Sequence, residues 1–178
     1  MPGLYRLENT MSPPRFKPSV TVAAIIEREG RYLLVEEETA EGLRINNPAG
    51  HLEQGETPLQ GVVREALEET AHHFRPEALL GLYLSRFRRE ASGEDVTYLR
   101  IAYCGSIEGD GPVPGLALDR GIRRWLWASP EEIAQARDAG RLRSPLVWRC
   151  LEDHRAGRRL PMDLIQADAS LFQPELRP

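Results

Sequence analysis

Glu65, Glu68 and Glu69 stand at positions i, i+3 and i+4. On a helix turning about 100° per residue they fall within an arc of about 100°, on one face and within one turn. Like charges that close repel, by a few tenths of a kcal/mol per pair on an exposed helix. A hard divalent cation reverses that repulsion. Mg²⁺ favours carboxylate and water oxygens, uses few protein ligands and leaves coordination sites open for phosphate. Taken alone, the string EALEE reads better as a solvated acidic face, because such strings are common on exposed helices. Its surroundings decide between the two.

The segment that must carry these carboxylates has the signals of a helix. Thr57 suits the N-cap, Pro58 the first helical position, and Gln60 completes a capping box. Leu59, Val62, Val63, Ala66 and Leu67 follow at helical spacing. The helix is expected to end before Pro76, near His72 to Phe74. Upstream, Val20 to Glu27 reads as a buried strand, Arg28-Glu29-Gly30 as a turn and Arg31 to Glu36 as the returning strand. Leu43 to Asn47 is an extended piece leading to Pro48-Ala49-Gly50. Downstream, strands are expected at Leu79 to Arg86, Val96 to Ser106 and Ile122 to Trp127, with turn chemistry at Ser92-Gly93-Glu94-Asp95. Glu108 to Arg120 reads as a long loop. Ser129-Pro130-Glu131-Glu132 opens a helix, and Leu142, Leu146, Val147, Cys150 and Leu151 form an apolar stripe on a further one.

The 178 residues suffice for one α/β domain with a real core and are few for two. We expect a loose N-terminal arm over residues 1–15, rich in proline, and a single domain over 16–178. The net charge of −4 argues against a duplex nucleic-acid partner. No apolar run approaches a membrane span, and the first residues lack the apolar core of a secretory signal. Cys104 and Cys150 make no disulfide framework and read as reduced thiols of a cytoplasmic protein.

Gly50, Glu56, Arg64, Glu65, Glu68 and Glu69 together resemble the Nudix box, G-x5-E-x7-R-E-U-x-E-E-x-G-U with U aliphatic. Ala66 fills the first aliphatic position. Ala71 stands where the last glycine belongs, and His72 where the last aliphatic residue belongs. Phe16-Lys17-Pro18, Val35-Glu36-Glu37, Pro48 to Glu53, Arg143-Ser144-Pro145-Leu146-Val147 and Gly157 to Pro161 are further similar to the NudJ-type phosphatases of that family. The similarity runs from about Phe16 to Ile165. Ile45 departs from it, standing where that group has a tryptophan.

The resemblance implies an α/β/α sandwich around a mixed sheet. It implies hydrolysis of a small nucleotide-like diphosphate or triphosphate, or of the thiamine-pathway pyrimidine diphosphate, with release of orthophosphate. A pyrophosphohydrolase acting on damaged nucleoside triphosphates is the alternative, since both chemistries share the metal helix. A non-catalytic nucleotide-sensing domain is another, although such domains often lose box carboxylates that this chain keeps. The implied cofactor is Mg²⁺, with Mn²⁺ as a substitute, and the oligomeric state is left open. Glu65, Glu68 and Glu69 carry over as metal ligands, joined by the Gly50 backbone carbonyl. Glu56 and Arg64 carry over as a salt bridge bracing the loop. Glu53 either binds metal or polarises water, or is a solvated loop residue.

Glu65 is the first choice of general base, with Asp119, Glu94 and Asp95 as outside candidates that read better as solvated surface residues. His51 either contacts phosphate or sits in the loop. His72, His73 and His154 read as helix-end or surface residues. Tyr83, Phe87, Tyr98 and Trp127 suit base stacking, though their strand positions fit core packing better. Arg141, Arg143, Arg149, Arg155, Arg158 and Arg159 make a basic C-terminal region, read as a solvated face.

Overall fold

The computed structural model describes residues 15–88 and 93–173. The expected N-terminal arm, Arg15 apart, lies outside these residues, as does Ser92 of the expected turn. The first hairpin joins β1 (Ser19–Arg28) to β2 (Arg31–Thr39) through Glu29 and Gly30, both at positive φ (55° and 76°). Two left-handed residues in succession match the twist of the flanking strands. Then come β3 (Gly42–Asn46), β4 (Ala49–His51), α1 (Pro58–Thr70), β5 (His73–Arg88), β6 (Asp95–Glu108) and β7 (Ile122–Ala128). Two helices, α2 (Pro130–Asp138) and α3 (Pro145–Arg155), and two 3₁₀ turns at Met162–Leu164 and Ala169–Phe172 follow.

Among the described residues seven strands form a mixed sheet with the path β3-β2-β1-β6-β5; β4 pairs with β1 and β7 with β2. The β1–β6 pair is parallel and the others are antiparallel. Thr21 to Ile26 of β1 are all buried, as expected of a strand covered on both faces. Val22, Ala24 and Ile26 pack with Val62 and Ala66 of α1 on one side. Ala23 and Ile25 pack with Leu146, Cys150 and Leu151 of α3 on the other. The result is an α/β/α sandwich. No helix among the described residues is long and apolar enough to cross a membrane.

Three boundaries depart from expectation. Helix α1 ends at Thr70, short of His72, because Ala71 turns left-handed (φ 59°) and its N–H closes on the Leu67 carbonyl. The chain then enters β5 at His73 and carries Pro76 within the strand. This is tolerated because β5 is an edge strand and the register shifts between Pro76 and Ala78, so the missing N–H breaks no ladder. Leu142 lies before α3, bridged to Ile45; Pro145 at the first helical position sets the later start. His72 is buried at 1 % exposure, not on the surface. Its Nδ1 lies 2.7 Å from the Thr70 carbonyl oxygen and its ring meets Trp125 edge-on.

Candidate active site

Helix α1 starts as its sequence dictates. The Thr57 hydroxyl accepts from the Gln60 N–H, and the Gln60 side chain accepts from the Thr57 N–H. Val62 and Ala66 anchor the helix on the sheet at 0 % exposure. That anchoring turns Glu65 and Glu69 inward, to 7 % and 8 % exposure, while Glu68 stays half-buried.

Arg64 holds the carboxylates that surround it. Its Nε and Nη2 donate to the two oxygens of Glu56 at 3.1 and 2.8 Å, the two-pronged pairing a planar guanidinium favours. Its Nη1 donates to Glu65 at 2.8 Å and to Glu68 at 2.9 Å, and Nη2 reaches the His51 carbonyl at 3.1 Å. Glu56 in turn accepts from the Glu53 N–H at 2.8 Å, which fixes the loop from Gly50 to Glu56 on the helix. The expected Glu56–Arg64 brace is therefore present, and it extends to two of the expected metal ligands. Two glycines permit the close packing. A Cβ on Gly50 would land on the Glu65 carboxylate, and one on Gly61 would press on Glu56 Oε1 at 2.7 Å.

Electrostatics separates these carboxylates. Hydrogen bonds from Arg64 hold Glu56 below its ordinary value. Burial pushes Glu65 up despite Arg64 beside it. Glu69 is pushed up to about 9, first by burial and further by the charges of Glu65, Glu37 and Asp119, against the Ala49 N–H that donates to it at 2.8 Å. Glu69 is thus buried among other carboxylates that push it up, and hard oxygens so placed fit a divalent cation. As the side chains stand, no three His, Cys, Asp or Glu groups among the described residues converge into a formed metal shell. Arg64 instead occupies oxygens of Glu65 and Glu68.

The other candidates scatter. Asp119 joins the site: its N–H bonds the Glu68 carbonyl at 3.0 Å, and its charge acts on Glu65 and Glu69. Asp95 is exposed and paired with Arg86, Glu94 is exposed, and Glu53 is exposed in the loop. His51 is exposed, with Nδ1 3.2 Å from Ser19 Oγ, and lines a cleft of about 220 Å³ beside β4. Phe87 and Tyr98 line that cleft too, stacked with centroids 5.4 Å apart and planes 5° from parallel, so core packing is not their role. Tyr83 does pack in the core, its hydroxyl donating to Asp153 at 2.9 Å. Trp127 receives the Arg28 guanidinium over its ring. The basic C-terminal residues are not merely solvated: Arg141 pairs with Glu36, Arg143 with Glu37, and Arg149 and Arg158 with Asp153.

Sequence reasoning gave no role to Glu37, Asn46 and Arg100, which line the same cleft. Arg100 carried a signal, a single charge inside the apolar run Leu99 to Cys104, and it is 7 % exposed.

The comparisons agree with this geometry. The family model for the NUDIX domain matches residues 15–148. The chain is 36 % identical over 151 residues to Phosphatase NudJ of Escherichia coli K12, covering 84 % of this chain and 92 % of that protein. A solved NUDIX hydrolase from Nitrosomonas europaea is 44 % identical, with a TM-score of 0.75 over 85 % of this chain and 98 % of its own. The NUDIX domain of Shewanella oneidensis NrtR, solved with ADP ribose, shares the fold at 17 % identity, with a TM-score of 0.62 over 83 % of this chain and 94 % of its own. With a carboxylate helix, its arginine brace and a matching sandwich around them, the chain belongs to the Nudix hydrolase family.

Proposed function

We propose that this hydrolase cleaves a phosphoanhydride bond in a small nucleotide-like diphosphate or triphosphate, the thiamine-pathway pyrimidine diphosphate included, with Mg²⁺ as cofactor and orthophosphate as product. The observation that carries the reading is the buried, mutually repelling pair Glu65 and Glu69 beside the cleft. Glu65, Glu68, Glu69 and the Gly50 carbonyl would hold the cation; Mn²⁺ has the same ligand preferences. Once bound, the ion supplies Lewis acidity toward phosphate oxygens and lowers the pKa of water.

The chain's own residues do the rest. Glu56 and Arg64 fix the loop that presents Gly50. The Ala49 N–H orients Glu69. Glu65 or Asp119 takes the proton of the attacking water. The cleft beside β4 holds the non-phosphate part of the substrate and so sets which phosphorus faces the carboxylates. Orthophosphate release follows the similarity to a phosphatase over most of the chain, and a nucleotide-like ligand follows that similarity and the ADP ribose of the NrtR domain. We read residues 16–178 as one domain and the buried free thiols Cys104 and Cys150 as suited to the cytoplasm.

The test is a panel of nucleoside di- and triphosphates with Mg²⁺ or Mn²⁺, measuring orthophosphate and pyrophosphate separately. Orthophosphate from both substrate classes is expected. Pyrophosphate from triphosphates alone, with inert diphosphates, would overturn the cleavage register and favour a house-cleaning pyrophosphohydrolase.

A further inference from the structure

Among the described residues two buried side-chain oxygens lack a hydrogen-bond partner, Glu37 Oε1 and Ser144 Oγ. Both residues line the cleft beside β4. An unmade bond on a buried polar atom is costly, and one cleft holding both points to a missing partner. Ser144 sharpens this. It is the N-cap of α3, where a serine hydroxyl ordinarily accepts from the helix's first N–H groups, yet it makes no such bond. Glu37 has Arg143 Nε at 3.3 Å from Oε1, in ion-pair range but without hydrogen-bond alignment. Burial pushes its carboxyl up, with Arg143 pulling it back.

Arg100 supplies a third group. Its guanidinium is buried and makes two long bonds, 3.4 Å each, to the neutral side-chain oxygens of Asn47 and Asn46, and a side-chain bond to the Cys150 thiol. A buried guanidinium normally makes short, charge-assisted bonds to an acceptor. The cleft therefore presents donors from Arg100 and Ser144 and an acceptor from Glu37. Phe87 and Tyr98, stacked parallel, give it a flat aromatic wall. Its volume of about 220 Å³ suits one small ring. That is below the roughly 300–1,000 Å³ of drug-sized sites.

We propose that Glu37, Arg100 and Ser144 read the edge of a planar heterocycle on the substrate, one that presents an N–H donor next to a lone-pair acceptor. The N–H faces Glu37, and the acceptor faces Arg100 and Ser144. The ring lies along Phe87 and Tyr98, while its phosphates pass Ala49 and Gly50 toward Glu65 and Glu69. This deepens the hydrolase reading and rests on it for the position of the phosphates.

The test uses nucleotide pairs that differ only at that edge, cytidine against uridine and adenosine against inosine. The full-length enzyme is assayed on the 5′-diphosphates with Mg²⁺. The 5′-monophosphates are titrated calorimetrically without metal, so ring recognition is read apart from turnover. The wild type should separate the members of at least one pair by about tenfold in both measurements. Glu37→Gln, whose amide both donates and accepts, should bring that ratio within about twofold. Ser144→Ala should weaken the favoured monophosphate about fivefold, with a melting temperature equal to or above wild type, since it removes a hydroxyl that bonds nothing in the free protein. Unchanged ratios in Glu37→Gln, or no separation in the wild type, would overturn the proposal and leave the hydrolase reading intact. Discrimination among monophosphates without hydrolysis of any diphosphate would uphold it and overturn the reading of the reaction.

Discussion

Replacing Glu69 by glutamine should stabilise the metal-free protein and nearly abolish catalysis. Glu69 is 8 % exposed, and its carboxyl is pushed up to about 9. In the unfolded chain the same group titrates near its ordinary value of 4.5. Between these values the folded state holds a proton that the unfolded state has released. The stability tied to Glu69 is therefore whole below pH 4.5 and falls as pH rises toward 9, where the fall ends. Each pH unit is worth about 1.36 kcal/mol, so at pH 7 the loss reaches about 3 kcal/mol. Glutamine has no such titration, and its carbonyl can still accept from the Ala49 N–H.

Urea unfolding with chelator at pH 5, 6, 7 and 8 should show Glu69→Gln more stable than wild type, by a margin growing about 1.4 kcal/mol per unit. Added Mg²⁺ should raise wild-type stability and leave the variant nearly unmoved. At saturating Mg²⁺ the variant's kcat should fall at least about a hundredfold. Parallel stability profiles for the two proteins would refute the reasoning, because a buried, uncompensated carboxylate cannot be silent. Near-normal turnover would remove Glu69 from the metal set.

Arg64→Ala should lose stability and activity together, by about 3 kcal/mol in chemical denaturation, since it strips the partner from Glu56, Glu65 and Glu68 at once; full stability with lost activity would instead make Arg64 a substrate ligand. Gly50→Ala should drive the Glu65 carboxylate from its place and lower kcat about a hundredfold, as ångström-scale misplacement of catalytic groups does, while circular dichroism shows the fold retained. Ala71→Val should cost at least about 2 kcal/mol in thermal unfolding, because a β-branched residue is strained at φ 59°, whereas Ala71→Gly should stay within about 1 kcal/mol of wild type.

What the sequence made legible was local. The Thr57-Pro58-Gln60 start of α1, the Ser129 start of α2 and the Arg28 to Arg31 turn depend on neighbours within four residues, and the residues gathered around Arg64 come from the one short stretch between His51 and Glu68. Distant pairing was not legible. Glu37 enters the site because β2 continues past Glu36 to pair with β3, opposite Arg44. Arg100 faces the cleft because β6 lies parallel to β1 in the register that sets it opposite Thr21. Phe87 and Tyr98 share the strand pattern of core aromatics, and only the sheet's layout puts them at a cleft. The early end of α1 turned on Ala71 accepting a backbone state that usually calls for glycine.

The β1–β6 pairing also bears on how the enzyme is made. Thr21 and Arg100 meet only after about 80 residues of intervening chain have closed, an entropic cost of about 4 kcal/mol by the logarithmic loop law. The β1–β2 and β5–β6 hairpins and helix α1 need no such closure. On a ribosome, β1 and β2 can fold together while β6 is still inside the exit tunnel, and the parallel seam must wait. That seam should be among the last elements to lock during refolding, after the hairpins and with the slow phase typical of long-range strand pairing. The cleft that would sort substrates is then absent from the early intermediates, which expose the apolar faces of β1 and β6. Those intermediates are where this protein is most open to aggregation and to chaperone capture.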